Sequence, residues 1–390
     1  MVASIASEFV LRDDVVFLTH GTYGACPLPV LDAWRWEQLE LEREPVDRLS
    51  RTRVARLDEV RAQVEEELGA APGTIVFVPN ATHGLNVVAR SISLEPGDEI
   101  LMTDHEYPAA EKMWEYLAQQ SGAATKRAEI PLPLLEEAQF TSALEEQLTD
   151  RTRVLFLSHI TSATALRFPI ERIVAIARER GIITVIDGAH VPGQLPLALE
   201  ELGADYYVGN LHKWMLTPKG TGILHARREM QGLLEPLIIG HGWTPAYREE
   251  GAIGGLGGPR YVDEIEMRGT EDPAPFLAIP AALRFRAEHD WDSVVDHCAS
   301  LVDDAAARIS EMTGLPLLSA REFRAPQMVS IPLPECEVLA VQEALRADWL
   351  VEAPVRSWRG RCLLRVSVQG YNSKHDIDRL VEVLPKVLPL

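Results

Sequence analysis

Along the chain, short runs that are apolar at nearly every position alternate with stretches in which apolar residues recur three or four apart. Ile75–Val78, "TRVLFLS" (152–158), "IITVID" (182–187), "YYVGN" (206–210) and "GTGILHA" (220–226) are of the first kind, and "EPGDEILMT" supplies a turn and a strand ending near Thr103. Residues 51–68 are of the second kind. Val54, Leu57, Val60, Val64 and Leu68 share one helical face, and Gly69 with Pro72 provides the stop. "PIERIVAIARERG" reads as a helix from about Pro169, closed by Gly181. Strands with no polar face must be covered on both sides, which predicts an α/β layout with a mainly parallel sheet. Ligands of such sheets sit beyond the carboxyl ends of the strands. The polar breaks at Pro79–Gly84, after Thr103, at Asp187 and at Asn210 are therefore expected to converge on one site.

After Leu224 the pattern changes. Residues 240–261 are Gly-rich and read as a long loop, and "PAPFLAIPAALRFRAEHDW" opens a long helical stretch. From about Asp290, helices alternate with strand-like segments such as "QMVSIPL" and "CLLRVSV". The expected organisation is an arm over 1–20, a large domain over 21–285 and a smaller α+β domain over 286–390. No repeat of 20–50 residues argues for a solenoid.

Composition narrows the field without changing the fold. The chain has 390 residues and a formal charge of −20, which disfavours nucleic acid and anionic lipid as partners. Cys26, Cys298, Cys336 and Cys362 are far apart. No Cys/His cluster has metal-site spacing, so free thiols and no metal are expected. The opening "MVASIASEFVLRDDVV" lacks the basic and apolar regions of a secretion signal. No apolar run approaches the ~20 residues of a membrane helix. The expectation is a soluble, cytoplasmic protein.

The chemistry lies in "VIDGAHVPG" and "YYVGNLHKW". Asp187 ends one apolar run and Lys213 follows the next, so the two would stand on neighbouring strand ends. A lysine facing an aspartate across a flat ligand is what a pyridoxal phosphate (PLP) Schiff base requires. The amine holds the cofactor aldehyde, and the carboxylate keeps the pyridine nitrogen protonated. A phosphate needs donors at a helix start, and "NATHG" offers Asn80, Ala81, Thr82 and His83 between a strand and a helix.

These motifs, with "FLTHGTYGACP", "TDHEYPA", "PQMVSIPLP" and "LRVSVQGYNS" in order from about residue 17 to 386, resemble the class V aminotransferase family of fold-type I PLP enzymes, in its isopenicillin N epimerase-like branch. The resemblance implies an aspartate aminotransferase-like large domain with a mainly parallel seven-stranded sheet, and PLP as cofactor. Lys213 would be the Schiff-base lysine, Asp187 the pyridinium partner, and His190 a hydrogen-bond partner near the 3-oxygen. Thr82 with the Ala81 and His83 backbone would cradle the phosphate, helped by Asn210 and His212. His105 would stack on the ring, with Tyr107 as the competing candidate. Gly269 and Thr270 would reach the phosphate of a neighbouring subunit, implying a homodimer with the site at its interface. Arg365 would grip the substrate α-carboxylate, with His20, Tyr23 and Tyr107 around the substrate.

The reaction this resemblance implies is Cα-proton abstraction from a bulky, cysteine-derived or peptide-like amino acid, ending in epimerisation, C–S β-elimination or transamination. A sensing or scaffold module without turnover is the reading from another class. Arg356, Arg359 and Arg361 read either as a solvated loop or as a pocket for a second anionic group. Cysteine desulfurases of this family carry a nucleophilic Cys on a mobile loop. Cys362 lies three residues before Arg365 and on the opposite face of a strand, so persulfide chemistry is not expected. Ala165 replaces a usual Gly in "TSATALRFP".

Overall fold

The computed structural model describes residues 5–246 and 253–388. Seven strands form the main sheet: β1 Ile75–Val78, β2 Glu99–Thr103, β3 Ala124–Ala128, β4 Thr152–Ser158, β5 Ile183–Asp187, β6 Tyr206–Asn210 and β7 Gly222–Ala226. Their order is β1-β7-β6-β5-β4-β2-β3. Only β7 is antiparallel to its neighbours, β1 and β6; the pairs among β2 to β6 are parallel. The reversal follows from chain length. The other strands are separated by helical crossovers, whereas β6 and β7 are joined through residues 211–221 with no helix between them, and so fold as an antiparallel pair.

Two buried apolar clusters cover the two faces of this sheet. One holds Leu57, Phe77, Leu155, Ile173 and Tyr207, and the other Val76, Leu85, Trp114, Phe156 and Tyr206. Alternate residues of the same strands thus enter opposite cores, as wholly apolar strands require. The amphipathic stretch near the start forms the helix Arg53–Glu67 and buries Leu57, Val60 and Val64. β3 is an edge strand. Its sequence "ATKRA" is largely exposed and carries no apolar run.

A three-stranded antiparallel sheet of β8 Met328–Leu333, β9 Val355–Trp358 and β10 Arg361–Ser367 lies in the C-terminal part, in the order β9-β10-β8. Its core gathers Val294, Leu301, Ile331, Leu364 and Leu380 with Phe9 and Leu18 from the N-terminal segment. Val16–Phe17 pairs in parallel with Val351–Glu352, so the segment preceding His20 packs with C-terminal elements. The loop expected over 240–261 falls partly outside the described residues; the helix Arg260–Glu266 follows it.

Candidate active site

The carboxyl ends of β1, β2, β4, β5 and β6 all point to one end of the sheet, because β1 is antiparallel to the one reversed strand. A cavity of ≈ 460 Å³ opens there. Asp187, His190, Lys213, Thr82, Tyr107 and Arg365 line it, although 283 positions separate the first of these from the last in sequence (82 to 365).

Lys213 follows β6 on a turn packed beneath the N-terminal segment. Gly24 has φ 73°, and a Cβ there would lie 2.1 Å from the His212 carbonyl oxygen. That position therefore requires glycine if the two backbones are to touch. Burial pushes the Lys213 amine down to about 7; the Arg365 charge adds to this and the Asp187 charge opposes it. Lys213 Nζ lies 3.1 Å from His190 Nε2. Trp214 Nε1–H donates to His190 Nδ1 at 3.4 Å.

Asp187 ends β5. Its Oδ1 accepts the Ala189 N–H at 2.9 Å. Burial raises its pKa, and the Ala189 bond and the Lys213 charge pull it back. Among the described residues it has no cation within ion-pair distance. A buried carboxylate without a cation is costly. Beside it on β4 stands Ser158, which also lines the cavity. Ser158 donates its N–H (2.8 Å) and hydroxyl (2.6 Å) to Glu106, which also accepts the Thr103 hydroxyl at 2.6 Å. Burial pushes the Glu106 carboxyl up to about 7.

The helix Ala81–Ser91 starts at the cavity. Asn80 caps it, with Oδ1 accepting the His83 N–H at 2.9 Å. The Ala81 N–H donates to Asn210 Oδ1 at 2.9 Å. Both amides are thus engaged within the chain, and among the described residues the Thr82 N–H and hydroxyl are the donors left at this helix start. His212 Nδ1–H donates to the Thr221 carbonyl at 2.9 Å, and the His212 ring lines the cavity.

At the opposite wall, Arg365 of β10 donates to the Ser162 carbonyl (2.8 Å) and the Thr22 hydroxyl (2.6 Å). Among the described residues its Nε has no partner. Burial, reinforced by the Arg356 charge, pushes the guanidinium down to about 9. Arg356 of β9 also lines the cavity. Arg359 instead pairs with Asp104 and Glu129, and Arg361 is exposed.

Several sequence expectations need correction. His105 does not line the cavity. It is fully buried behind it, bonded to Thr164 Oγ1 and packed on Trp358 with ring centroids 4.5 Å apart. The chain turns between His105 and Tyr107, so only Tyr107 reaches the cavity. His20 is also fully buried. Its ring bonds the Tyr371 hydroxyl and the Lys213 carbonyl, while its neighbours Gly21, Thr22 and Tyr23 line the cavity. The His83 backbone, expected in the phosphate cradle, has its N–H taken by Asn80 Oδ1, and the residue lines a neighbouring groove with Asn86 and Arg90. Gly269 and Thr270, expected at a neighbouring subunit's site and not at this one, stand outside this cavity, with Thr270 exposed. Gly188, which follows Asp187, packs on the Tyr207 ring, 2.1 Å from where a Cβ would sit. Ala165, in place of glycine, has φ 54°.

The sequence reading missed Ser158 and Glu106. The signal was present: Ser158 directly follows the apolar run 154–157, and Glu106 adjoins two residues already singled out.

The donor set suits a flat cofactor with an aldehyde, a ring nitrogen and a phosphate. It offers a partly buried amine held near neutrality, a buried carboxylate with no ion-pair partner among the described residues, and uncommitted donors at a helix start.

The model of the aminotransferase class V family matches residues 27–380. The chain is 32% identical to an isopenicillin N epimerase of Amycolatopsis lactamdurans, covering 99% of this chain and 98% of that one. It is 22% identical to a hercynylcysteine sulfoxide lyase of Schizosaccharomyces pombe, covering 97% and 95%. Among solved structures, a cysteine desulfurase of Escherichia coli has the same fold, with a TM-score of 0.81, 22% identity, and 98% and 97% coverage.

Proposed function

Because the chain belongs to the class V aminotransferase family, whose cofactor is pyridoxal 5'-phosphate, we propose that it removes the Cα proton of a bulky amino acid, with Lys213 Nζ as cofactor attachment point and base. The cofactor supplies an electron sink for the Cα electron pair. Asp187 would hold its ring nitrogen protonated, and so acquire the cation it lacks. Thr82 and His212 would hold the phosphate, and Tyr107 would cover the ring. One observation carries the reading: Lys213, partly buried, and Asp187 and Arg365, both buried, share one cavity.

Arg365 would take the substrate α-carboxylate through its planar fork. That contact fixes the substrate so that its Cα–H bond faces Lys213 Nζ, and an amine near neutrality can accept the proton at physiological pH. Arg356, with no carboxylate partner among the described residues, suits a second anionic group on the substrate. A proton returned to the opposite face gives epimerisation, and loss of a β-thiolate gives C–S cleavage. His20 cannot be the opposite acid, since both its ring nitrogens are engaged; Tyr23 and Tyr107 remain placed for it. Transamination is the alternative outcome. None of the four cysteines lines the cavity, which supports a reaction without a persulfide. Gly269 and Thr270 would face the second site of a homodimer.

The test is to incubate the purified cofactor-loaded protein with L-amino acids and their thioethers in deuterated water and analyse the products by mass spectrometry. Inverted substrate carrying deuterium at Cα identifies an epimerase. Pyruvate with a released thiol identifies a C–S lyase, and a keto acid with pyridoxamine phosphate identifies a transaminase. Binding without deuterium exchange or product would reject the enzymatic reading in favour of a sensing or scaffold module.

A further inference from the structure

His190 sits between two nitrogens of adjacent residues, Lys213 Nζ at 3.1 Å and Trp214 Nε1 at 3.4 Å. The two contacts are chemically unequal. An indole N–H can only donate, so His190 Nδ1 must accept and cannot carry a proton. A neutral imidazole then carries its proton on Nε2, and the contact between Nε2 and Lys213 requires the amine to be the acceptor. An ammonium has three donors and no lone pair, and would meet Nε2–H donor to donor.

The surroundings keep this arrangement in place. Trp214 and His190 are buried, at 0% and 3% exposure. The indole ring packs on His20, with centroids 4.9 Å apart, and would meet a Cβ on Gly21 at 3.0 Å. His190 is anchored from its own backbone, whose carbonyl accepts Gln194 Nε2–H at 2.7 Å. The charged and titratable groups that act on His190 or Lys213 are Arg365, Arg356, Asp187 and His212. Burial and the neighbouring cations hold His190 neutral.

We propose that Trp214 is a positioning residue: its indole N–H occupies His190 Nδ1, fixes the imidazole proton on Nε2, and so makes His190 a donor that selects the unprotonated form of Lys213. This rests on Lys213 being the cofactor-bearing amine. It gives the aromatic residue after the lysine a chemical task besides filling the core. Without the N–H, His190 is free to carry its proton on Nδ1. Nε2 then becomes an acceptor, which favours the ammonium of Lys213.

The test reads the tautomer directly. The cofactor-loaded protein, labelled with ¹⁵N-histidine, is examined by long-range proton–nitrogen NMR, with His190 assigned through His190→Asn. Nε2 is expected to resonate as a protonated nitrogen and Nδ1 as a bare one. In Trp214→Phe, Nδ1 should move toward the protonated position. In the cofactor-stripped full chain, acylation of Lys213 at pH 7, quantified by peptide mass spectrometry, should fall about threefold to tenfold, the net worth of one hydrogen bond. Should Trp214→Phe fail to fold, benzothienylalanine at position 214 keeps the bicyclic shape and removes only the N–H. A proton on Nδ1 in the parent protein overturns the proposal. So do a tautomer and a Lys213 reactivity that stay at parent values once the N–H is gone. Cofactor trapped on another lysine would sink the Lys213 assignment while leaving the tautomer result standing.

Discussion

Replacing Arg365 with methionine should weaken the site and leave the stability of the fold nearly unchanged. The guanidinium is 2% exposed, has no carboxylate partner among the described residues, and leaves its Nε unbonded. Its pKa is lowered from the ordinary arginine value to about 9, chiefly by burial. At about 1.4 kcal/mol per tenfold change in proton affinity, that is on the order of 4–5 kcal/mol of stability withheld. Since the folded-state pKa is the lower one, the penalty is fully present below about pH 9 and fades as pH rises from there toward the ordinary arginine value. Methionine removes the charge but forfeits the bonds to Ser162 and Thr22, at about 1.5–3 kcal/mol each for hydrogen bonds to a charged group, or about 3–6 kcal/mol together. The two effects nearly cancel, so stability at pH 7 should stay within about 2 kcal/mol of the parent, read as a urea midpoint at unchanged slope. Substrate recognition should move the other way. Losing one member of a buried charge pair costs about 2–5 kcal/mol. L-methionine and its decarboxylated analogue, 3-(methylthio)propylamine, can be titrated against the visible band of the bound cofactor. The parent should prefer the amino acid by about 30-fold or more, and Arg365→Met should bind the two alike. A variant that keeps the preference, or is destabilised at pH 7 by clearly more than about 2 kcal/mol, would refute the idea of a cation kept ready for a carboxylate.

Lys213→Met should stabilise the cofactor-stripped protein at pH 6. The folded-state pKa of about 7 lies below the ordinary 10.5, so the charging penalty is present below pH 7 and is relieved as pH rises toward 10.5; urea midpoints at pH 6 and pH 10 should differ accordingly. Asn80→Ala removes the cap on the His83 N–H and should cost about 1 kcal/mol of stability, together with weaker cofactor retention on dialysis. Ala165→Gly should raise stability by about 0.5–1 kcal/mol, because a Cβ at φ 54° is strained; an unchanged or lower urea midpoint would mean that the surrounding contacts hold the alanine without strain.

The main sheet was legible because both its faces are buried, so strands such as Thr152–Ser158 and Ile183–Asp187 read as unbroken apolar runs. β3 was not, since an edge strand that carries Thr, Lys and Arg and is buried only at Ala128 has no pattern to read. Lys213, Asp187 and Arg365 were legible because each stands in or just beyond an apolar run that folds as a strand. The choice between His105 and Tyr107 was not, because two residues on one turn face opposite ways and only burial separates them. Glu106 escaped for the same reason. Its role depends on Ser158, 52 positions away, and no local periodicity carries that contact. The same limit applies to the Gly-rich stretch: spacing marked a loop, and part of it lies outside the described residues.

The central claim is that one amine, Lys213 Nζ, holds the cofactor opposite Asp187. Borohydride reduction of the loaded protein, followed by digestion and peptide mass spectrometry, fixes the cofactor wherever it is attached. The pyridoxyl mass should appear on the peptide containing Lys213 and vanish, with the visible band, in Lys213→Ala. A pyridoxyl group on any other lysine, or a visible band that survives the substitution, would contradict the account.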